Sequence, residues 1–346
     1  MKTLKHIALL SIMAGVFFLN SCSNNKTQKN NKENGLTNKQ ILESTSLTIK
    51  DLDSLIRLNP KNDTLFYKRS KLQLAGKNID EAINDLNLAI KVDSNKPEYY
   101  IELANLYIVK AKSEKSRDIL EKAAKRFKKN HNVFTELGKL YFLVQDYKNA
   151  QKYLDQAIEL YPYDAKAYYY KAMAYLETQD TAKAKFYFNK AVESDPKMYD
   201  AYLMLGAVAT EQKDTLAPEY FKAAIRIDST NIEPRFSLGY YYQTVAKDYP
   251  KAVEQYDYII QNMDSTYAHA YFNLGYMVLF YTDHPEASIP YFKNTIKYDS
   301  TVVDAYVNLG IAYKSIGKTD SAKFYLNKAL EVKPNYDRAI KELNSL

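Results

Sequence analysis

Four histidines, one cysteine and a set of Asp-Ser/Thr pairs are the residues from which any chemistry in this 346-residue chain would have to be built. His6, His131, His269 and His284 are scattered, and none stands in an H-E-x-x-H or other paired-ligand spacing. Cys22 is the only cysteine, so the chain can form neither an intramolecular disulfide nor a cysteine-based metal site. No Gly-rich phosphate loop and no G-x-S-x-G nucleophile turn occurs. His131 and His284 fall at expected helix starts and read as surface residues. His269 falls on a helix face that can meet a partner. The reading is of a non-enzymatic protein with no catalytic, cofactor-binding or metal-ligating residue, and binding is the chemistry left to it.

The composition says what positions these residues. Gly (9) and Pro (10) are both scarce, which favours helices over a turn-rich β fold. Tyr is abundant (33) and Trp absent, so Tyr and Phe must supply the large aromatics. The formal charge of +7 is mild and dispersed, which argues against a nucleic-acid partner.

The chain repeats itself every 34 residues. In the clearest copy Phe134, Leu137, Gly138 and Tyr141 share one face of a first helix. Ala150, Leu154 and Ala157 share one face of a second, and Pro162 ends it. Tyr168, Ala172, Tyr175, Ala184, Phe188, Ala191 and Pro196 follow. Tyr306, Leu309, Gly310, Tyr313, Ala322, Leu326, Ala329 and Pro334 form the last full copy. This pattern resembles the tetratricopeptide repeat (TPR), and the resemblance implies an all-α, right-handed superhelical solenoid of stacked helix-turn-helix units.

Eight repeats are expected over 63–334, starting near Asp63, Pro97, His131, Ala165, Tyr199, Ile232, Ala268 and Val303. A half-repeat (45–62) precedes them, with Leu52, Leu55 and Pro60 matching a second helix. A capping helix (335–346) closes the stack. Small residues such as Gly138, Gly206, Gly239, Gly275 and Gly310 should let paired helices approach closely. Tyr100, Tyr107, Tyr141, Tyr168, Tyr175, Tyr202, Tyr242, Tyr271, Tyr306 and Tyr313 occupy signature positions and are assigned to the core. The spacing drifts to 33, 36 and 35 after Tyr199. A kink or delayed helix start is expected at Pro290, with altered curvature over 232–300. Asp228-Ser229-Thr230, Asp264-Ser265-Thr266 and Asp299-Ser300-Thr301 replace the helix-ending prolines, and each can N-cap the next helix.

The N-terminal segment reads as an address. Two lysines precede Ile7–Leu19, an apolar run of 13 residues. As a helix it spans roughly 20 Å, short of a ~30 Å hydrocarbon core, which is the layout of a secretory signal. Leu19-Asn20-Ser21-Cys22 resembles a bacterial lipoprotein signal, with Asn20 a departure at its position. The resemblance implies cleavage after residue 21 and lipidation, palmitate included, of Cys22; an ordinary cleaved signal with an incidental cysteine is the other reading. Residues 22–44, rich in Asn and Lys, read as a disordered tether. The Asp-Ser/Thr pairs, for example Asp180-Thr181-Ala182 and Asp320-Ser321-Ala322, resemble the O-glycosylation motif of Bacteroidetes-type bacteria. The same residues are what turns and caps require.

In TPR folds the first helices line a groove. Tyr67, Lys71, Asn105, Lys139, Tyr169, Met173, Phe236, Tyr240, His269, Phe272, Tyr276 and Lys314 fall on that face. They read as contacts for an extended peptide or partner helix, or as half-buried residues that pack side by side. Asn105 and Lys166 match two positions of the carboxylate clamp of chaperone-binding TPR domains. Ile101, Glu136 and Tyr170 break the pattern, so no such clamp is expected. The basic stretch from Lys110 to Lys129 reads as a solvated helix face or as a contact for anionic lipid or cell-wall polymer. The resemblance as a whole implies a protein-protein interaction scaffold, lipid-anchored at a bacterial envelope membrane (the periplasmic face of the outer membrane) and holding other envelope proteins. The alternative is an envelope receptor for a peptide or glycan.

Overall fold

A computed structural model describes residues 47–346. The signal segment 1–21, the tether 22–44 and Cys22 lie outside the described residues. The described residues form eighteen α-helices and no strand, and none of the helices is long and apolar enough to cross a membrane. They fall into two compact units, up to Ala201 and from Tyr202 onward.

The first unit begins with a lone helix, α1 (Ile49–Leu58), followed by the pairs α2 (Asp63–Ala75) and α3 (Ile79–Val92), α4 (Pro97–Val109) and α5 (Ser113–Arg126), α6 (His131–Leu143) and α7 (Tyr147–Leu160), and α8 (Ala165–Glu177) and α9 (Thr181–Ser194). The boundary falls within α10 (Tyr199–Glu211). The second unit continues with α11 (Ala217–Ile227), α12 (Glu233–Tyr241), α13 (Tyr249–Tyr258), α14 (Ala268–Tyr281), α15 (Ile289–Tyr298), α16 (Val303–Ser315), α17 (Thr319–Val332) and α18 (Asp337–Leu343).

Local signals set the helix ends. Thr48 and Asp51 form a reciprocal capping box on α1, and the side chains of Asn62, Asn130, Asp146, Asp164 and Asp180 cap α2, α6, α7, α8 and α9. At the other end of the first helices the chain reverses through a left-handed residue. Lys77, Ala111, Gln145, Gln179, Lys213 and Lys247 have φ of 62°, 54°, 64°, 66°, 55° and 57°, at a constant spacing of 34. The next N–H then reaches back to close the helix, as in Asp146 N to Tyr141 O (2.9 Å) and Asp180 N to Tyr175 O (2.9 Å). Only Gly317 (φ 73°) fills this place with the residue it favours.

Packing within a pair depends on the glycines. A Cβ on Gly138 would sit 2.5 Å from Leu154 Cγ, and one on Gly206 would sit 2.5 Å from the Phe221 ring. Leu154, Phe221, Tyr256, Phe292 and Leu326 of the second helices are fully buried in the space so created.

The signature tyrosines are only partly core. Tyr100, Tyr242 and Tyr306 are buried, but the other seven are half-buried. For Tyr141, Tyr175 and Tyr313 the reason is a stack against a second-helix tyrosine that leaves the outer ring edge in water. Tyr141–Tyr153, Tyr175–Tyr187 and Tyr313–Tyr325 lie with centroids 5.3, 5.4 and 5.5 Å apart and planes within 13°, 3° and 2° of parallel.

Two of the three irregular spacings have a visible physical cause. The 36-residue repeat contains two π-helical turns, Tyr242–Ala246 and Ile259–Met263, and a π turn takes one extra residue into a helix without breaking it. The 33-residue repeat has a second helix, α11, of 11 residues where α3, α5, α7, α9 and α17 have 14. Pro290 delays its helix: a 3-10 turn, Pro285–Ser288, comes first, and α15 starts at Ile289 with Pro290 in its first turn, where a missing N–H costs nothing. The Asp-Ser-Thr turns do not cap the following helix. Asp228, Asp264 and Asp299 instead accept from the N–H of the Thr two residues on, at 2.9, 2.8 and 2.9 Å, because the carboxylate is taken up inside its own turn.

Candidate partner-binding faces

Neighbouring first helices touch directly, α4 with α6, α6 with α8, and in the second unit α14 with α16, whereas successive second helices make no comparable contact. Within each unit the first helices therefore line the inner side. The twelve residues expected on that side divide by unit into two chemistries.

In the first unit the inner side is a ladder of internal pairs. Tyr67 on α2 donates its hydroxyl to Glu102 Oε1 on α4 (2.5 Å), and the Lys71 ammonium pairs with the same carboxylate. Burial, with Glu102 beside it, pushes the Tyr67 hydroxyl well above the ordinary tyrosine range. One repeat on, Lys139 on α6 donates to Asn105 Oδ1 on α4 (3.0 Å) and to Glu136 Oε2 (3.2 Å). Lys166 on α8 pairs with the other oxygen of Glu136. Glu136 is 6% exposed. Burial raises its carboxyl, but Lys139 and Lys166 outweigh that and hold it below the usual range. Burial also lowers Lys139, with Glu136 opposing. Tyr169 and Met173 on α8 are buried and present no surface to a partner. Tyr169 lies edge-on to Tyr170 at 5.3 Å.

In the second unit the inner side is aromatic. Phe236 on α12 lies 5.6 Å from Tyr267 and 6.3 Å from His269. Along α14, Phe272, Tyr276 and Phe280 form a stripe at i, i+4 and i+8, with centroids 6.4 and 4.6 Å apart. Tyr281 extends it, 6.1 Å from Tyr276 and stacked at 4.4 Å on Tyr249 of α13. Tyr240, Phe280 and Tyr281 are 37%, 42% and 45% exposed, and His269 is also exposed. Lys314 is set apart from this stripe: it pairs with Glu342 (3.2 Å) and Ser345 Oγ (2.6 Å) at the capping helix α18.

Sequence reasoning missed Glu102 as the partner of Tyr67 and Lys71, which lies about one repeat away from both, and named Glu136 only as a break in the clamp pattern, not as the carboxylate that joins Lys139 to Lys166. It also missed Phe280, which was findable four residues beyond Tyr276. Among the described residues no cluster of His, Cys, Asp and Glu can hold a metal ion.

A tetratricopeptide-repeat family model matches residues 141–209, and a second matches residues 303–336. The chain carries tetratricopeptide repeats. Solved structures agree on the fold. The C-terminal part of a TPR repeat-containing protein from Cytophaga hutchinsonii aligns with a TM-score of 0.60 at 16% identity, over 70% of this chain and 99% of that one. A human IFIT1 dimer with m7Gppp-AAAA aligns with a TM-score of 0.52 at 15% identity, over 83% of this chain and 68% of that one. At these identities the likeness is one of fold alone. No curated protein matches the chain.

Proposed function

We propose that the protein is a non-enzymatic interaction scaffold that holds an extended segment of a partner protein against the inner side of its second unit. Tetratricopeptide repeats in general mediate protein or peptide binding, and one observation supports a particular face for that role here. Tyr240, Phe280 and Tyr281 stay open to solvent on first helices, next to the half-buried Phe272 and Tyr276 of the same stripe. Aromatic rings of this kind supply large contact area at low entropic cost. The first unit's inner side has its polar groups already engaged with one another, which suits a rigid support.

The proposal extends to location: Cys22 anchors the chain by lipid to an envelope membrane, on the periplasmic face of the outer membrane, where other envelope proteins are the partners. Its support is the Leu19–Cys22 motif and the preceding apolar run. In-cell photocrosslinking from Tyr240, Tyr276 and Phe280, with Phe186 on α9 as control, tests the face. Discrete adducts from the three and none from the control are expected; equal labelling from all four overturns it. Cys22→Ala tests the anchor, and unchanged membrane fractionation counts against it.

A further inference from the structure

The outer helix α5 and the turns around it carry a charge that the fold leaves unbalanced. Between Lys110 and Lys129 there are nine basic residues and three acidic ones, an excess of six, and Asp80 outside the stretch pairs with Lys110, which leaves five. On several other second helices an exposed lysine is matched by a carboxylate three residues away: Lys183 by Asp180, Lys190 by Glu193, Lys222 by Glu219, Lys251 by Asp248 and Lys328 by Glu331. No lysine of α5 has such a partner among the described residues. Glu121 accepts instead from the Tyr141 hydroxyl of α6 (2.7 Å), and Asp118 meets only Arg117, at 3.7 Å. Lys122, Lys125, Lys128 and Lys129 are exposed and have no carboxylate within 4 Å among the described residues.

The opposite face of α5 fixes this orientation. Ser116, Leu120 and Ala123 are buried, with Leu120 packed beside Ala104, Leu137 and Leu140. The lysines therefore cannot turn inward, and they project from the outer side of the first unit.

We propose that this face is an electrostatic docking surface for an anionic lipid bilayer. Charge complementarity selects an anionic occupant, and the side chains present favour lipid over nucleic acid. Of the two arginines, Arg126 is engaged, donating to Ser94 Oγ (2.9 Å) and Asn95 Oδ1 (2.6 Å), and Arg117 lies 3.7 Å from Asp118. The exposed cations of the patch are thus mostly lysines, which lack the fork that bidentate phosphate or base-edge recognition uses. The one aromatic residue of the patch, Phe127, is half-buried edge-on to Tyr100 at 5.6 Å, so it offers no platform for a base. What remains is a row of flexible point charges, which suits a diffuse field of headgroups. The exposed residues of α5 are all polar, so the helix rests on the surface without inserting. The inference stands whether or not Cys22 carries lipid, and it is independent of the partner face of the second unit.

The test uses the full chain carrying Cys22→Ala, with vesicles of phosphatidylcholine alone and of phosphatidylcholine mixed with phosphatidylglycerol. The neutral vesicles account for any adsorption by the apolar N-terminal segment. The expected result is stronger partitioning onto the anionic vesicles, lost at about 1 M salt, where the Debye length is about 3 Å. Combined Lys122→Gln, Lys125→Gln, Lys128→Gln and Lys129→Gln should reduce the anionic increment at least roughly tenfold. A charge-matched control, Lys183→Gln, Lys190→Gln, Lys222→Gln and Lys251→Gln, should leave it within about twofold. All eight positions are solvent-facing, and circular dichroism melts check that each variant is folded. Absence of an anionic increment overturns the proposal, as does an equal loss in the control, which would reduce it to net charge. Displacement from the vesicles by duplex RNA at equal phosphate concentration overturns the choice of lipid.

Discussion

Glu136 is the residue whose replacement separates a structural ladder from a binding groove. It is 6% exposed, and its carboxylate holds Lys139 at 3.2 Å on one oxygen and Lys166 on the other. Glu136→Leu leaves the Lys139 ammonium, 19% exposed, with Asn105 Oδ1 as its remaining partner at 3.0 Å. Breaking a buried pair from one side costs about 3–5 kcal/mol, because a charge is left without its counterpart. Lys139 keeps one hydrogen bond, and Lys166, 46% exposed, regains water, so a loss near about 3 kcal/mol is expected. The double variant Glu136→Leu/Lys139→Met removes both charges and should lie within about 1 kcal/mol of the wild type. A long repeat array need not unfold in one step, so the measurement is native-state hydrogen exchange of the α6 and α8 amides. The pH dependence has a definite sign. Glu136 is held below its unfolded value, so its contribution is complete above about 4.3 and is lost as pH falls through the folded value. Below that, single variant and wild type should converge. The reasoning is refuted if the single substitution costs no more than the double, or if its penalty persists unchanged in acid.

Three further outcomes follow from local geometry. Gly206→Ala places a Cβ 2.5 Å from the enclosed Phe221 ring, whereas Gly275→Ala meets Phe292 at 3.0 Å. Overpacking of about 1–3 kcal/mol exceeds the ~1 kcal/mol gain in helix propensity only at the first, so Gly206→Ala should melt lower and Gly275→Ala at or near the wild type. Ala111 sits at φ 54°, and Ala111→Gly should stabilise by about 0.5–1 kcal/mol, while Gly317→Ala, at φ 73°, should lose a similar amount in thermal melts. Deleting Ala246 from the π turn Tyr242–Ala246 should convert it to an α turn with little change in helical circular dichroism. Deleting Val278 inside α14 should turn the aromatic stripe out of register and unfold the repeat.

The two-helix repeat was legible because packing imposes a residue type at fixed spacing: Gly138 admits Leu154, and no larger residue fits there. The left-handed closures at Lys77, Ala111, Gln145, Gln179, Lys213 and Lys247 were not legible, since none is the glycine that marks such a turn and the closing hydrogen bond comes from the backbone. The irregular spacing between Ile232 and Val303 announced insertions, but only the structure shows that helices absorb two of them as π turns. The candidate site was half legible. Tyr240, Phe272 and Tyr276 were found from their column in the repeat. Lys71, Asn105 and Lys139 share that column, yet the partners that occupy them sit about one repeat distant and have no signature of their own.

A position's place in the repeat therefore does not decide its role; what faces it across the next helix does. In the first unit a ligand would have to break Lys71–Glu102 or Lys139–Glu136–Lys166 before making polar contacts of its own. An exchange of one part-exposed ion pair for another returns at most about 1 kcal/mol. In the second unit nothing has to be broken. An aromatic side chain buries roughly 150–250 Å² when fully covered. Tyr240, Phe280 and Tyr281, 37–45% exposed, thus retain on the order of 80 Å² each. At about 25 cal/mol per Å², covering one of these rings is worth about 2 kcal/mol, and covering all three about 6 kcal/mol before ordering costs. The surplus from which affinity can be built is concentrated on α12 and α14. A partner with apolar side chains at matching intervals gains there what it could not gain on the charged helices of the first unit.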